Sequence, residues 1–241
     1  MLSKNQIKLI AKLKQKKYRQ DTKLFVVEGE KGIDELLQSS FKLHKLFTTA
    51  AFDLPLEHQV VVSEADLKRI SFLTTPNKAL AVFEMPEVQP IQTTKLCVAL
   101  DNVRDPGNLG TIIRLCDWFG VQDLICNLGT VDCFNPKVIQ ATMGSVTRVN
   151  ITYLDLEQFL ANTALPIYGA FMDGENVYKS PLPDSGILVM GNEANGVSKT
   201  IADLVTQKLA IPRFGALQAT ESLNVATATS ILLSEFKRRI Y

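Results

Sequence analysis

After residue 95, short and almost wholly apolar segments alternate with helical patterns, and this alternation sets the fold class. A strand that is apolar on both faces needs cover on both sides of its sheet, as in parallel sheets with helical crossovers. Between the first two segments, Leu109, Ile112 and Cys116 share one face of a predicted helix. We therefore predict an α/β domain built on a largely parallel sheet. The predicted strands span residues 96–100, 124–126, 167–171, 187–190 and 209–211.

The N-terminal part of the chain shows a shorter alternation of the same kind. Residues 85–94 then contain two prolines, several polar side chains and no periodicity, which is typical of a linker. The predicted organisation is a small α/β domain over residues 1–88 and a larger domain over residues 96–241. In the small domain, strands are predicted at 24–27, 43–48, 60–62 and 80–83, and helices at 31–38 and 63–70.

The first 23 residues are strongly basic, with Asp21 as their one acidic member. Two interpretations stay open for this segment: a solvated helix with a thin apolar seam, or a surface that contacts phosphates. The basic residues are Lys4, Lys8, Lys12, Lys14, Lys16, Lys17, Arg19 and Lys23.

Over the whole chain the charges nearly cancel, since 26 Lys and Arg against 25 Asp and Glu give a net charge of +1. This balance argues against a nucleic-acid binder held by bulk charge, and it leaves room for a local basic patch. No apolar run approaches the roughly 20 residues of a membrane helix, and the first residues lack the apolar core of a secretory signal. We expect a cytoplasmic protein with no membrane partner.

Cysteine and histidine usage narrows the chemistry. The four cysteines form no Cys-x-x-Cys pair, so we expect buried, reduced thiols. The two histidines, His44 and His58, lie far from every other motif, which argues against a histidine-based zinc site or a Ser-His-Asp triad. If the protein is an enzyme, a group other than histidine must move its protons, and no metal is expected.

Ligands of parallel α/β sheets bind beyond the carboxyl ends of the strands. The loop after the predicted strand at 96–100 contains neither a Gly-x-Gly-x-x-Gly fingerprint nor a Walker loop, so a nucleotide-dependent oxidoreductase is disfavoured. It does gather polar and charged side chains at one strand end, beyond what a helix cap requires. These are Asn102, Arg104, Asp105, Asn108 and Arg114.

Two further strand ends carry unusual sequences. One is a Gly-x-Glu-x-x-Gly pattern that begins at Gly191 and contains Glu193, which by itself is typical of a strand-to-turn junction. The other has Ile-Pro at residues 211–212 and Ser-Leu-Asn at residues 222–224. The serine alone would be explained as the N-cap of a last helix, predicted over residues 223–239.

In combination and order, these motifs are far more specific than any of them alone. Asp-Pro-x-Asn-x-Gly-x-x-x-Arg, then Gly-x-Glu-x-x-Gly, then Ile-Pro followed by Ser-Leu-Asn resembles the SpoU (TrmH-like) family of RNA ribose 2′-O-methyltransferases in the SPOUT superfamily. The resemblance covers residues 96–241. Residues 25–29, Phe-Val-Val-Glu-Gly, are similar to the opening of the family's small substrate-binding domain.

The resemblance implies a C-terminal SPOUT domain with a trefoil knot, S-adenosylmethionine as cofactor, a homodimer and a structured RNA substrate. The extra N-terminal domain favours rRNA over tRNA. By motif position the family's active-site residues correspond to Asn108, Arg114, Glu193, Ser222 and Asn224. The cofactor contacts correspond to Gly191, Ile211 and Leu223, largely through backbone groups. The stretch between residues 211 and 222, with Arg213, Phe214, Gln218 and Thr220, is a few residues longer than the family pattern.

A ribose 2′-hydroxyl must lose its proton as it attacks a methyl sulfonium. The resemblance implies Arg114 as base, but the pKa of an arginine normally exceeds about 12, so a role in orienting the ribose or a phosphate is equally open. Glu193 is expected to fix Arg114 or the sugar. Three alternatives stay open: a tRNA 2′-O-methyltransferase, methyl transfer onto a base, and a non-catalytic RNA-binding or assembly protein with the same fold.

Overall fold

The structure is a computed structural model, and it describes residues 2–217 and 221–238. Gln218 and Thr220 of the long loop, and Arg239 as the predicted end of the last helix, lie outside these residues. The helices are α1 (Lys4–Lys12), α2 (Lys16–Thr22), α3 (Glu30–Leu37), α4 (Glu64–Ile70), α5 (Pro106–Trp118), α6 (Pro136–Thr142), α7 (Leu156–Ala161), α8 (Lys199–Ala202) and α9 (Val225–Arg238). The strands are β1 (Leu24–Glu28), β2 (Leu43–Thr48), β3 (Gln59–Val61), β4 (Ala79–Glu84), β5 (Leu96–Leu100), β6 (Asp123–Asn127), β7 (Asn150–Leu154), β8 (Ile167–Asn176), β9 (Gly186–Met190) and β10 (Gln207–Ala210).

The chain divides into two compact units, one of which is discontinuous in sequence. Unit 1 comprises Met1–Glu87 together with Asp132–Thr147, and unit 2 comprises Val88–Val131 together with Arg148–Tyr241. The predicted domain over residues 96–241 had included the segment Asp132–Thr147. Its helix α6 lies in unit 1, where it packs against β1.

Unit 1 is built on a four-stranded sheet in the order β1-β4-β2-β3. The sheet is mixed: β4 pairs antiparallel with β1 and with β2, while β2 and β3 run parallel. Apolar residues of β1, β2 and β4 form its core with Ile10 and Leu13 at the end of α1. The apolar seam of the basic N-terminal segment is therefore the face through which α1 packs against the core.

Arg19, one of the eight basic residues of the N-terminal segment, is buried and does not belong to its basic surface. Its side chain is only 2% exposed, and its Nε and Nη2 donate hydrogen bonds to Asp132 Oδ2 at 3.0 and 2.6 Å. Its Nη1 donates to the carbonyl oxygens of Leu13 and Lys14 at 2.8 and 2.9 Å. Arg19 therefore cannot contact a phosphate, and instead it holds the turn between α1 and α2.

Unit 2 contains the predicted parallel sheet. Its six strands follow the order β10-β8-β9-β5-β6-β7, and every neighbouring pair is parallel. The central strands β5 and β9 are buried along their whole length, as their continuous apolar sequences predict. The α/β class and the parallel sheet are thus confirmed.

Several short elements of the second half were not predicted. Helices α6, α7 and α8 have seven residues or fewer, and β7 is half-buried along its whole length. The last helix begins at Val225 rather than at residue 223. Strand β8 is longer than predicted, and its pairing register with β10 shifts between Lys208 and Leu209.

All four cysteines are free and buried, as expected. Burial, with a smaller contribution from the Asp123 carboxylate, raises the pKa of the Cys97 thiol to about 11. Burial also raises the pKa of Cys116. Because the thiolate is the reactive form, we expect native protein to consume no Ellman's reagent near neutral pH, and denatured protein to consume four equivalents for its four cysteines. Rapid labelling of any thiol in native protein would contradict the buried placement.

The described part of the chain contains neither a metal-binding cluster nor a membrane-spanning helix. Within residues 2–217 and 221–238, no group of three or more His, Cys, Asp or Glu side chains is placed to hold a metal ion. In the same residues, no helix is both long and apolar enough to cross a membrane.

Candidate active site

The first loop of the candidate site joins β5 to α5. Asp105 is the N-cap of α5, and its Oδ1 accepts a hydrogen bond from the Asn108 backbone N–H at 2.8 Å. Pro106 occupies the first helical turn, where its missing N–H costs no helical hydrogen bond. The cap fixes where α5 begins, and it presents the Asn108 side chain at the carboxyl end of the sheet.

The second loop follows β9. Asn192 and Gly196 exchange two backbone hydrogen bonds, each 2.9 Å long, and the Asn192 Oδ1 accepts from the backbone N–H of Ala194 and Asn195. A Cβ on Gly191 would lie 2.1 Å from the Gly196 carbonyl carbon, so this close approach of backbone to backbone requires glycine. The packing of this loop therefore requires glycine at position 191, independently of the predicted contact with a cofactor.

A buried carboxylate at the end of β5 joins the first two loops. Asp101 is 2% exposed and accepts hydrogen bonds from Asn102 Nδ2 at 2.9 Å, from Asn127 Nδ2 at 3.1 Å and from the Ser198 backbone N–H at 2.7 Å. Asn192 Nδ2 in turn donates to the Asn102 carbonyl oxygen at 2.6 Å. These anchoring roles were not predicted, although Asn192 lies within the second motif and Asn102 is one of the polar side chains noted after the first predicted strand.

Three of the predicted site residues form one hydrogen-bonded chain, which we call the amide relay: Glu193, Asn108 and Asn224. Asn108 Nδ2 donates to Glu193 Oε1 at 3.0 Å, and Asn224 Nδ2 donates to Asn108 Oδ1 at 2.8 Å. The relay brings together residues that are 85 and 116 positions apart in sequence. It therefore joins the three loops that the motifs predicted.

Both ends of the amide relay fix the orientation of its amides. An ionised carboxylate only accepts hydrogen bonds, so the Asn108 NH₂ group must face Glu193. At the other end, Asn224 Oδ1 accepts from the backbone N–H of Ala226 and Thr227 at 2.9 and 3.2 Å, which caps α9. Asn224 is thus the N-cap of the last helix, and the interpretation of Ser222 as that cap is wrong.

The surroundings of Glu193 favour its ionised form. Partial burial acts to raise the pKa of Glu193, but hydrogen bonds from Asn108 and from the backbone N–H of Asp105 and Arg104 outweigh it, so the pKa is lowered. The two backbone bonds measure 3.1 and 3.2 Å. Glu193 thus holds Asn108 and the start of α5. Of its two expected partners, Arg114 and the sugar, Arg114 makes no hydrogen bond to it among the described residues.

The lowered pKa of Glu193 predicts a pH-dependent contribution to stability. A depressed carboxyl pKa stabilises the folded protein above the unfolded-state pKa, and this stabilisation is lost as the pH falls through the folded pKa. The Tm difference between wild type and Glu193→Gln should therefore be largest near neutral pH and should shrink below about pH 4.5. Thermal melts followed by circular dichroism across this pH range would measure it, and a difference independent of pH would contradict the assignment.

Three other predicted site residues are exposed, and each is close in sequence to Asn108 or Asn224 of the amide relay. Arg114 is on α5, and among residues 2–217 and 221–238 it has no hydrogen-bond or ion-pair partner. Ser222 and Leu223 precede α9, and 47% of the Leu223 surface is exposed. Their side chains are available to a ligand.

Ile211 directly follows β10 and is half-buried. Beyond it, the described part of the long loop turns back on itself, since Arg213 Nη2 donates to the Glu221 carbonyl oxygen at 3.3 Å. Phe214 and Leu217 expose 83% and 87% of their surface. The loop thus adds apolar surface beside the third motif.

Comparison with known proteins places these features in a family. The sequence model of the SpoU rRNA Methylase family matches residues 95–234, and that of the MRM3-like substrate binding domain matches residues 4–81. The chain is 31% identical to the 23S rRNA (guanosine(2553)-2′-O)-methyltransferase RlmP of Bacillus subtilis, over 96% of both chains.

Solved structures agree with the sequence matches. A TrmH-family protein from Porphyromonas gingivalis is 42% identical, with a TM-score of 0.91 over 99% of both chains. An AdoMet-bound rRNA methyltransferase from Sinorhizobium meliloti is 30% identical, with a TM-score of 0.87 over 100% of this chain and 97% of the other. The resemblance carried by the three motifs is confirmed, and the chain belongs to the SpoU rRNA methylase family.

Proposed function

We propose that the protein is an S-adenosylmethionine-dependent methyltransferase that methylates a ribose 2′-hydroxyl of ribosomal RNA. The observation that carries the proposal is the amide relay, which unites one residue from each family motif. The B. subtilis relative is a 23S rRNA 2′-O-methyltransferase, and the S. meliloti structure contains AdoMet.

The residues at the candidate site suit S-adenosylmethionine. The exposed Leu223 and half-buried Ile211 offer aliphatic surface for an adenine ring, and the loop from Gly191 to Gly196 offers main-chain groups. The ionised Glu193 favours a cation nearby. Bound S-adenosylmethionine would supply an electrophilic sulfonium methyl group. The ribose oxygen would bond to the methyl carbon as the C–S bond breaks, with S-adenosylhomocysteine as the leaving group and loss of the hydroxyl proton.

The proposed task of the chain's own residues is mainly to hold the ribose. Positioning two reactants converts a bimolecular step into an effectively unimolecular one, and a misplacement of about 1 Å can cost about a hundredfold in rate. In the proposed mechanism the amide relay fixes the groups that face the sugar, and Ser222 and Asn224 orient the hydroxyl. Arg114 orients the nucleophile or takes its proton as the methyl group transfers.

Finer features are proposed on the strength of family membership. They are the trefoil knot in the C-terminal part, a homodimer with the site near its interface, and a cytoplasmic location. Trp118 at the end of α5 exposes 84% of its surface, which suits a contact with a second copy. Sedimentation velocity at several concentrations would test the dimer, and a monomer throughout would contradict it.

The decisive experiment maps 2′-O-methyl groups in rRNA and tRNA from cells with and without the gene. The expected result is the loss of one or more ribose methylations in rRNA and none in tRNA. RNA from the deletion strain should then accept a labelled methyl group in vitro. A 2′-O-methyl group blocks alkaline cleavage of the next phosphodiester, so the label should appear in alkali-resistant dinucleotides. Label in mononucleotides would show base methylation, and no change in either RNA would reject the function.

A further inference from the structure

A second candidate ligand site lies in unit 1, in the basic N-terminal segment. A pocket of about 230 Å³ lies at the helices α1 and α2. Pockets for drug-sized ligands measure roughly 300–1,000 Å³, so this pocket suits a smaller group. Its principal lining residues are Asn5, Lys8, Leu9, Lys12, Tyr18 and Thr22.

The walls of this pocket, which we call the α1–α2 pocket, are held in place by the fold. The guanidinium of Arg19 binds the carbonyl oxygens of Leu13 and Lys14 in the turn that joins the two helices. Asp132 holds the guanidinium from the other side. The backbone of the two helices is therefore held before a ligand binds, so little binding free energy is lost to ordering the backbone.

The lining combines apolar and aromatic surface. Leu9 and Tyr18 are half-buried, and the Lys12 ammonium lies over the face of the Tyr18 ring, 4.5 Å from its centroid. The ring therefore already holds a cation that a stacked base would replace. Thr22 Oγ1 donates to the Tyr18 carbonyl oxygen at 2.6 Å, which fixes the helix that carries the ring. A planar aromatic group is the kind of ligand that such a ring binds by stacking.

The rim is positive and polar. Lys8 and Asn5 are exposed, and neither has a hydrogen-bond partner within the described part of the chain. No residue that lines the pocket is acidic. A phosphate can therefore bind at the lysines, while the Asn5 amide offers one donor group and one acceptor to the edge of a base.

We propose that the α1–α2 pocket binds one unpaired nucleotide of the RNA substrate. Its base replaces the Lys12 ammonium over the Tyr18 ring and packs against Leu9, and its phosphate binds Lys8 and the displaced Lys12. This inference rests on the proposed function. Proteins recognise unpaired RNA by stacking bases on aromatic side chains, and an apolar pocket with a lysine rim supplies both parts of a nucleotide site. An inorganic anion would leave the apolar wall unused, and an apolar peptide would leave the lysines unused.

Fluorescence anisotropy with the full chain would test the pocket. The probes are labelled single-stranded oligoribonucleotides, with an RNA duplex of the same length for comparison. Tyr18→Ala should weaken single-strand binding about tenfold, as the loss of one stacked base predicts, and should leave duplex binding unchanged. Tyr18→Phe, which keeps the ring, should bind like wild type. Equal binding by Tyr18→Ala and wild type would overturn the proposal, as would an equal loss on the duplex.

Two further variants separate stacking from folding and from general charge. Tyr18→Leu keeps apolar volume without a ring, so it should fold like wild type and still bind single strands more weakly. Lys8→Ala should reduce the salt dependence of binding by about one phosphate contact, whereas Lys68→Ala on α4 should not. Identical salt slopes for Lys8→Ala and wild type would contradict a phosphate at the rim.

A methylation assay keeps the two proposals distinguishable. If wild type methylates rRNA and Tyr18→Ala does so with an unchanged KM for RNA, the pocket proposal fails while the proposed function stands. If wild type methylates no RNA but Tyr18→Ala still loses single-strand binding, the proposed function fails, and the pocket is a single-strand binding site that serves no methylation substrate.

Discussion

Replacing Arg114 with alanine should lower kcat for methyl transfer to RNA by about a hundredfold or more. The protein should stay folded, because Arg114 is exposed and has no hydrogen-bond or ion-pair partner among the residues that the structure describes. The KM for S-adenosylmethionine should change little, since the proposed role of Arg114 concerns the ribose. Arg114→Lys keeps the charge but loses the planar fork, so it should recover only part of the activity.

The measurement is transfer of a labelled methyl group to RNA from a strain that lacks the gene. Arg148→Ala is the matched control, since Arg148 pairs with Asp117 at 2.9 Å and precedes β7, at the amino edge of the parallel sheet. It should keep nearly full activity. Wild-type activity in Arg114→Ala, or an equal loss of activity in Arg148→Ala, would contradict a role of Arg114 in orienting or deprotonating the ribose hydroxyl.

Asp132→Ala should produce the largest loss of stability, about 3–5 kcal/mol in the free energy of unfolding, because it leaves the buried Arg19 charge without its counterion. The guanidinium would keep only the carbonyl oxygens of Leu13 and Lys14 as partners. The double variant Arg19→Met/Asp132→Leu removes both charges, and it should be closer to wild type than Asp132→Ala.

Urea unfolding followed by circular dichroism would measure these differences on the full chain. Asp173→Ala serves as control, because Asp173 is 78% exposed and lies 4.0 Å from Lys208. Its loss should change the free energy of unfolding by less than about 1 kcal/mol. A similarly small effect of Asp132→Ala would mean that the Arg19 pair does not stabilise unit 1.

The sequence predicted best those strands whose residues are all buried to the same extent. Strands β5 and β9 are buried on both faces, so their continuous apolar sequences indicated a parallel sheet directly. Strand β7 is half-buried throughout, and its mixed sequence Asn-Ile-Thr-Tyr-Leu carries no clear period. Helix α6 is short, although Asn135 as N-cap before Pro136 gave a usable signal for its start.

The sequence motifs indicated residues that lie close together in the structure, but they did not indicate which of these side chains bond to each other. The motifs indicated Asn108, Glu193 and Asn224, and the structure joins all three in the amide relay. Which partner each side chain takes depends on loops far apart in sequence, so the sequence left both Arg114 and the sugar open as partners of Glu193. For the same reason Arg19 was counted among the basic residues open to a partner. A count of local charges cannot reveal that its counterion, Asp132, lies 113 residues later.

The discontinuity of unit 1 has a consequence for its biosynthesis. Phe134 lies 4.7 Å from Phe25 between ring centroids, and Asp132 neutralises Arg19, so both the packing and the charge balance of unit 1 require residues made after β6. A ribosome that has synthesised only the first 87 residues has made an incomplete unit with a buried charge unmatched. We expect the native core of unit 1 to close only once residue 147 has left the exit tunnel, when strands β5 and β6 of unit 2 have already been made.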